Sequence, residues 1–234
     1  MEERTLRRVI DSPPALLKDG FKNASVAYCR LLRSNKTFTF DERDYHYLFH
    51  PYNLTWRNER AVEIPIALGY LQGRRGGSIL EVGNVLSHYV ATDHDILDKY
   101  EKAPGVTNED VVEFDPHKEF DLIISVSTLE HIGWDETPRD PDKTPAAVHN
   151  LVRLLAPAGE FVFTAPLGLN PEFDRLVETG ALPLDEIRAL KRVRGNYWRQ
   201  VRLETVLGAD YGKHSFRANA IVVGRVREGG VRSR

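Results

Sequence analysis

Residues 128–136 read Thr-Leu-Glu-His-Ile-Gly-Trp-Asp-Glu, which gathers three carboxylates, one histidine and one indole in a single short stretch. An imidazole changes charge in the range useful for proton transfer, so His131 is the candidate general base, with Glu130 its catalytic partner and Asp135 and Glu136 further groups that could orient it. Glu130, His131, Asp135 and Glu136 could instead hold a divalent cation such as Mg²⁺, since hard cations take oxygen ligands. A second group lies in 46–60, where His50, Tyr52 and Trp56 combine flat apolar faces with hydrogen-bonding tips. Such side chains suit a sugar or another polyhydroxylated ligand, which presents C–H patches and hydroxyls together. Trp134, Tyr197 and Tyr211 are further candidates to border that ligand.

A third set is spread along the chain. Glu81-Val82-Gly83-Asn84 places a glycine, which tolerates positive φ and close backbone approach, directly after an apolar run. Asn84 follows it, and asparagine is the side-chain-bearing residue that best tolerates the left-handed region. Glu81 can either cap that turn or reach a ligand. Asp98 lies where a carboxylate could accept from both hydroxyls of a ribose. Asp110-Val111 pairs an acceptor with an apolar face, as an adenine edge requires. Ser127 ends the next apolar run, and Arg60 offers a bidentate donor for a carboxylate.

Short apolar runs at 78–82, 94–99, 110–114, 120–126, 160–165 and 218–226 would position these residues. They alternate with loops or helical patterns, which implies βαβ units and a mainly parallel sheet. The run 120–126 is almost continuously apolar, as expected of a central strand covered on both faces. Helical spacing recurs over 14–32, 58–71 and 142–155. The region 197–226 suggests two closing strands. The simplest organisation is an N-terminal helical and aromatic cap over 1–57 and one compact domain over 58–234.

The bulk numbers narrow the partners. A net charge of -2 on 234 residues gives no electrostatic case for nucleic acid or an anionic membrane. The single cysteine, Cys29, excludes an intrachain disulfide and a Cys-rich zinc site. No run is long and apolar enough to span a bilayer, and the polar N-terminal stretch lacks a signal-peptide core, so the cytoplasm is the expected compartment. The expected partner is a small-molecule acceptor, and a homodimer is left open.

In these residues the chain resembles the class I S-adenosylmethionine-dependent methyltransferases. Ile79-Leu80-Glu81-Val82-Gly83 is similar to the family's first motif, Asp98 to its ribose-binding acid and Asp110-Val111 to its adenine-edge pair. Phe120-Asp121-Leu122-Ile123 is similar to its fourth strand, and Leu154-Leu155-Ala156-Pro157-Ala158-Gly159 to the approach to its fifth. The resemblance covers roughly 79–166. It implies a Rossmann-like, seven-stranded, mainly parallel α/β sheet with its last strand antiparallel and helices on both faces, and S-adenosylmethionine above the first strand. The expected activity is O-methylation of a small hydroxylated metabolite, a sugar being the example, with His131 as base or with metal assistance. The family carries two or three glycines in the first turn, whereas here Gly83 stands alone. That keeps open a catalytically degenerate partner subunit. A nicotinamide-dependent oxidoreductase is the remaining alternative, and it would need the G-x-G-x-x-G turn that is absent.

Overall fold

The computed structural model describes residues 35–74, 76–212 and 217–227, with five isolated positions between 24 and 31. Most of the helical pattern over 14–32, with Cys29, lies outside the described residues.

Among the described residues from 35 onward there are ten strands and three α-helices. A hairpin, β1 (Thr37–Phe40) and β2 (Arg43–His46), precedes α1 (Arg60–Gly73). Then come β3 (Ile79–Val82), β4 (Asp95–Leu97), β5 (Val106–Thr107) and β6 (Phe120–Val126). Helix α2 (Lys143–Arg153) leads into the long β7 (Leu155–Pro166) and α3 (Pro171–Thr179). Strands β8 (Glu186–Arg194), β9 (Tyr197–Val201) and β10 (Ala220–Arg227) close the chain.

Eight strands form one sheet in the order β5-β4-β3-β6-β7-β10-β8-β9. Strands β5, β4, β3, β6 and β7 pair in parallel, and β10 enters antiparallel between β7 and β8. The sheet is therefore mainly parallel with its final strand antiparallel, as expected. An eighth strand, β9, is added at the edge as a hairpin partner of β8.

Alternation along the central strands separates two cores, because successive side chains point to opposite faces. Ile123, Phe161, Phe163 and Leu80 pack with Ala147, Val148 and Leu151 of α2 and Phe173 and Leu176 of α3. On the other face Leu122, Val162, Ile221 and Val223 meet Ala61, Val62 and Ile66 of α1 together with Phe38 and Phe40 of the hairpin. The aromatic segment thus helps cover the second face of the sheet. Pro65 assists the docking. It has no N–H for the Ala61 carbonyl one turn earlier, and that carbonyl accepts from Leu48 N at 3.0 Å instead.

Two local expectations need correction. The third strand of the parallel set is the two-residue β5 at Val106–Thr107, and Asp110 to Phe114 is a turn closed by Phe114 N to Asp110 O at 2.9 Å. Strand β8, Glu186–Arg194, was not anticipated, because its Glu-Ile-Arg-Ala-Leu-Lys-Arg pattern carries a charge on most of its length.

Candidate active site

A cavity of about 560 Å³ opens at the carboxyl ends of β3, β4 and β6. That is where open parallel sheets bind their ligands, since the strand ends and following loops diverge there. Of the residues expected to contact a cofactor, Gly83, Asn84, Asp98, Asp110, Val111, Ser127 and Arg60 line it. Glu81 does not.

Glu81 is fully buried and holds the turn itself. Its Oε1 accepts from Val85 N at 2.8 Å and Leu86 N at 2.7 Å, and Oε2 meets His94 Nε2 at 2.9 Å. Gly83 takes φ +87°, and a Cβ there would come within 2.1 Å of Thr128 Oγ1, so both conformation and space demand glycine. Asn84 contributes its side chain and not a left-handed backbone. Its Nδ2 donates to Glu101 Oε1 at 2.7 Å, and its main-chain N donates to Asp98 Oδ2 at 3.0 Å. The turn lacks further glycines and is held by this network instead.

Asp98 also accepts from Tyr100 N and Glu101 N on Oδ1, at 2.9 and 2.8 Å. A carboxylate offers about four acceptor positions, so these three bonds leave one on Oδ2. Asp110 is pinned by Lys99 Nζ at 2.8 Å and Lys143 Nζ at 2.5 Å, and its Oδ1 accepts from Val112 N. Burial opposes its charge, but the two ammonium groups outweigh burial and hold its carboxyl at about 2. Glu136 meets the same two lysines, at 2.5 and 3.3 Å.

His131 lines the cavity, with Nδ1 2.6 Å from Asp135 Oδ2 and Nε2 3.6 Å from Glu130 Oε1. Glu130 lies behind the wall, fully buried, and neither of its carboxylate oxygens has a hydrogen-bond partner. Burial pushes its carboxyl well above the usual range, and neighbouring Glu63 adds to this. The four residues considered for a metal do not converge. Glu136 turns to lysines and Glu130 inward, and no group of three or more His, Cys, Asp or Glu among the described residues could hold a metal ion.

The expected acceptor residues divide. Tyr52 lines the cavity and stacks on His88 at 4.3 Å between ring centroids. His50 sits behind it, edge-on to Tyr89 at 5.2 Å. Trp56 packs against the second-face core, and Tyr197 packs edge-on to Tyr47 at 5.8 Å. Trp134 lines a separate small cavity under the Arg139 guanidinium, which is 3.7 Å from a ring centroid. Tyr211 faces the buried acids. Burial, reinforced by Glu59, Glu130 and Glu63, raises its hydroxyl to about 12.

Sequence reasoning missed His88, Tyr89 and the two lysines, which line or brace the cavity without any spacing pattern. It also missed Glu63, although a signal exists: an acid placed among the apolar positions of a helix, three residues from Arg60.

No protein-family model matches the chain, and no curated protein matches it. Three solved structures with which it shares a likeness can be named. The N-methyltransferase NodS from Bradyrhizobium japonicum WM9 is 15% identical, with 70% of this chain and 93% of that one covered at a TM-score of 0.40. A TehB-like SAM-dependent methyltransferase from Corynebacterium glutamicum is 17% identical, with 74% and 94% covered at 0.42. A possible histamine N-methyltransferase from Thermotoga maritima is 12% identical, with 71% and 88% covered at 0.44. What identifies the architecture is the sheet itself: five parallel strands outward from β3 to both sides, then β10 inserted antiparallel before β8. This is the Rossmann-like, mainly parallel sheet with an antiparallel final strand that the resemblance to the class I methyltransferases implies.

Proposed function

We propose that the protein transfers the methyl group of S-adenosylmethionine to a hydroxyl of a small polyhydroxylated acceptor. One observation carries the reading: a single cavity brings together the Gly83 turn, Asp98, the Asp110-Val111 pair and His131. The residues fit the cofactor. Asp98 retains an acceptor position for a ribose hydroxyl, Val111 offers an apolar face, and Arg60 presents a guanidinium toward the cavity for a carboxylate. When bound, the cofactor supplies an electrophilic methyl on a sulfonium. The chain's own task is to orient the acceptor, exclude water and take up a proton.

His131 performs the last step in this reading. With Asp135 accepting the Nδ1 proton, Nε2 is left as the base that removes the hydroxyl proton. Asp135 then stabilises the imidazolium. The four acidic and histidine residues of this loop do not fit a divalent cation, because the carboxylate of Glu136 is already held by Lys99 and Lys143 and Glu130 is turned inward. Tyr52, stacked on His88 at the cavity wall, supplies an apolar face for the acceptor.

The test is ligand-induced stabilisation. S-adenosylhomocysteine at about 100 times its Kd adds roughly 2.7 kcal/mol, which for a chain of this size raises Tm by about 5–10 °C. NAD at the same concentration leaves Tm unchanged. A shift with NAD and none with S-adenosylhomocysteine would overturn the reading.

A further inference from the structure

Helix α2 begins beside the cavity with a residue that does not favour the helix. Lys143 opens it, its first turn holds no acid, and a cation there opposes the positive end of the helix dipole. The charge serves other partners. Its ammonium donates to two carboxylates from separate segments, Asp110 Oδ2 and Glu136 Oε2, each at 2.5 Å. Asp110 and Glu136 line the cavity, whereas Lys143 does not.

Asp110 starts the turn that carries Val111, closed by Phe114 N donating to Asp110 O at 2.9 Å. Glu136 ends the loop that carries His131 and Asp135, where Trp134 N and Asp135 N both donate to His131 O at 3.1 Å. Helix α2 also holds each backbone separately. Asn150 Nδ2 donates to Val111 O and Phe114 O at 2.8 and 2.9 Å, and Thr144 Oγ1 donates to Ile132 O at 2.9 Å. Lys143 differs in joining the two segments to each other. Lys99 bridges the same carboxylates at 2.8 and 3.3 Å, but its side chain is 37% exposed against 13% for Lys143, and an exposed pair contributes little. Charge-assisted bonds away from water are the stronger ones, so the Lys143 bridge is the firmer of the two. Burial opposes the charge on Asp110 and Glu136 alike, yet the lysines outweigh it and hold both carboxyls below their ordinary values. Both acids therefore stay charged at neutral pH.

We infer that Lys143 is a positioning residue for the methyl transfer: it makes the Asp110 turn and the His131 loop one mechanical unit, so that a cofactor seated against Asp110-Val111 fixes the place of His131 and Asp135. This rests on the methyltransferase reading for what occupies the Asp110 side of the cavity. Coupling of this kind is reciprocal, so an acceptor held at His131 tightens the cofactor by the same factor.

Amide hydrogen exchange reads the two segments separately, with Phe114 N reporting the turn, Trp134 N and Asp135 N the loop, and β7 the global stability. In the ligand-free protein, Lys143→Met is expected to speed exchange at Phe114, Trp134 and Asp135 by about tenfold, since each segment loses one charge-assisted bond. Exchange in β7 stays unchanged, and Lys143→Arg stays close to wild type. S-adenosylhomocysteine is expected to slow exchange in both segments of the wild type, but only in the turn of Lys143→Met. Lys143→Gln takes its place if the methionine variant folds poorly. Loop exchange at the wild-type rate in these variants, or a change confined to one segment, overturns the inference. So does a loop that S-adenosylhomocysteine still protects without the lysine. If S-adenosylhomocysteine protects neither segment of the wild type, it is the methyltransferase reading that fails, and the ligand-free comparison still decides whether Lys143 joins the segments.

Discussion

At the scale of single residues, the site separates side chains that touch the cavity from those that shape it. Gly83 is the sharpest example. Gly83→Ala must adopt φ near +87° and place a methyl 2.1 Å from Thr128 Oγ1, so we expect a loss of about 1–3 kcal/mol in stability and loss of the S-adenosylhomocysteine shift. A variant that melts like wild type and still responds to the ligand would contradict the assignment of this turn. His131 belongs to the other group. His131→Asn is expected to lower kcat by about 10²–10⁴-fold with S-adenosylhomocysteine affinity unchanged, measured once an acceptor is in hand. Full turnover would remove it as the base. The position of these two residues at the cavity was legible in the sequence, because a glycine directly after one strand and a histidine just past another both fall at strand ends. Glu81 was legible only as an alternative. Whether a carboxylate caps a turn or meets a ligand depends on where Val85 N and His94 lie, which no local pattern records.

At the scale of elements, the parallel strand β6 was readable because burial on both faces makes its centre, Leu122-Ile123-Ile124, apolar without interruption, whereas β3 was read from the glycine that follows it. The hairpin β1–β2 was not. Its turn residues Asp41 and Glu42 both take positive φ, at 48° and 60°, a conformation usually announced by Asn-Gly or Asp-Gly. Distant groups hold it instead: Asp41 N donates to Gln200 Oε1 at 2.8 Å, and the Asp41 carboxylate meets Arg188 at 3.3 Å. Strand β8 escaped for a related reason, since Glu186 pairs with Arg188 of the same strand and with Arg225 of the neighbouring β10, partners that the charge pattern alone does not reveal. Helix α3 makes a testable link between packing and site. Asn170 caps it by accepting from Glu172 N and Phe173 N at 2.9 and 3.2 Å, and its Nδ2 donates to the Glu130 carbonyl at 2.8 Å. Asn170→Ala therefore removes a helix cap and a tether of the His131 loop together. We expect about 1–2 kcal/mol of destabilisation by denaturant melt. Asn170→Asp restores the cap but not the tether, so recovery of stability without recovery of turnover would separate the two roles.

At the scale of the whole molecule, several acids carry pKa values displaced by the fold, and the displacements set how stability follows pH. Burial raises Asp174 to about 6 from its ordinary 3.8, partly offset by the Gly168 N–H that bonds its carboxylate. Burial likewise raises Glu59 and Glu130. For such groups the folded state binds protons more tightly than the unfolded chain, so stability falls as pH rises from the unfolded value through the folded one. Asp110 works the other way. Its carboxyl sits at about 2, so its contribution is complete above about 4 and is lost only as pH falls toward 2. Between pH 4 and 7 the raised acids therefore govern the trend. Asp174→Asn keeps an acceptor for Gly168 N and removes the titration. Its stability relative to wild type should rise as pH goes from about 4 to about 7, with the change centred between 3.8 and about 6. Glu130→Gln should gain in the same direction but over a higher range, because its carboxyl is displaced further. A stability difference that stays flat across that window, or that falls toward neutral pH, would show that these carboxyls are not held protonated by the fold. The buried acids on the two sides of the sheet would then have to be charged and paired in a way the present geometry does not provide.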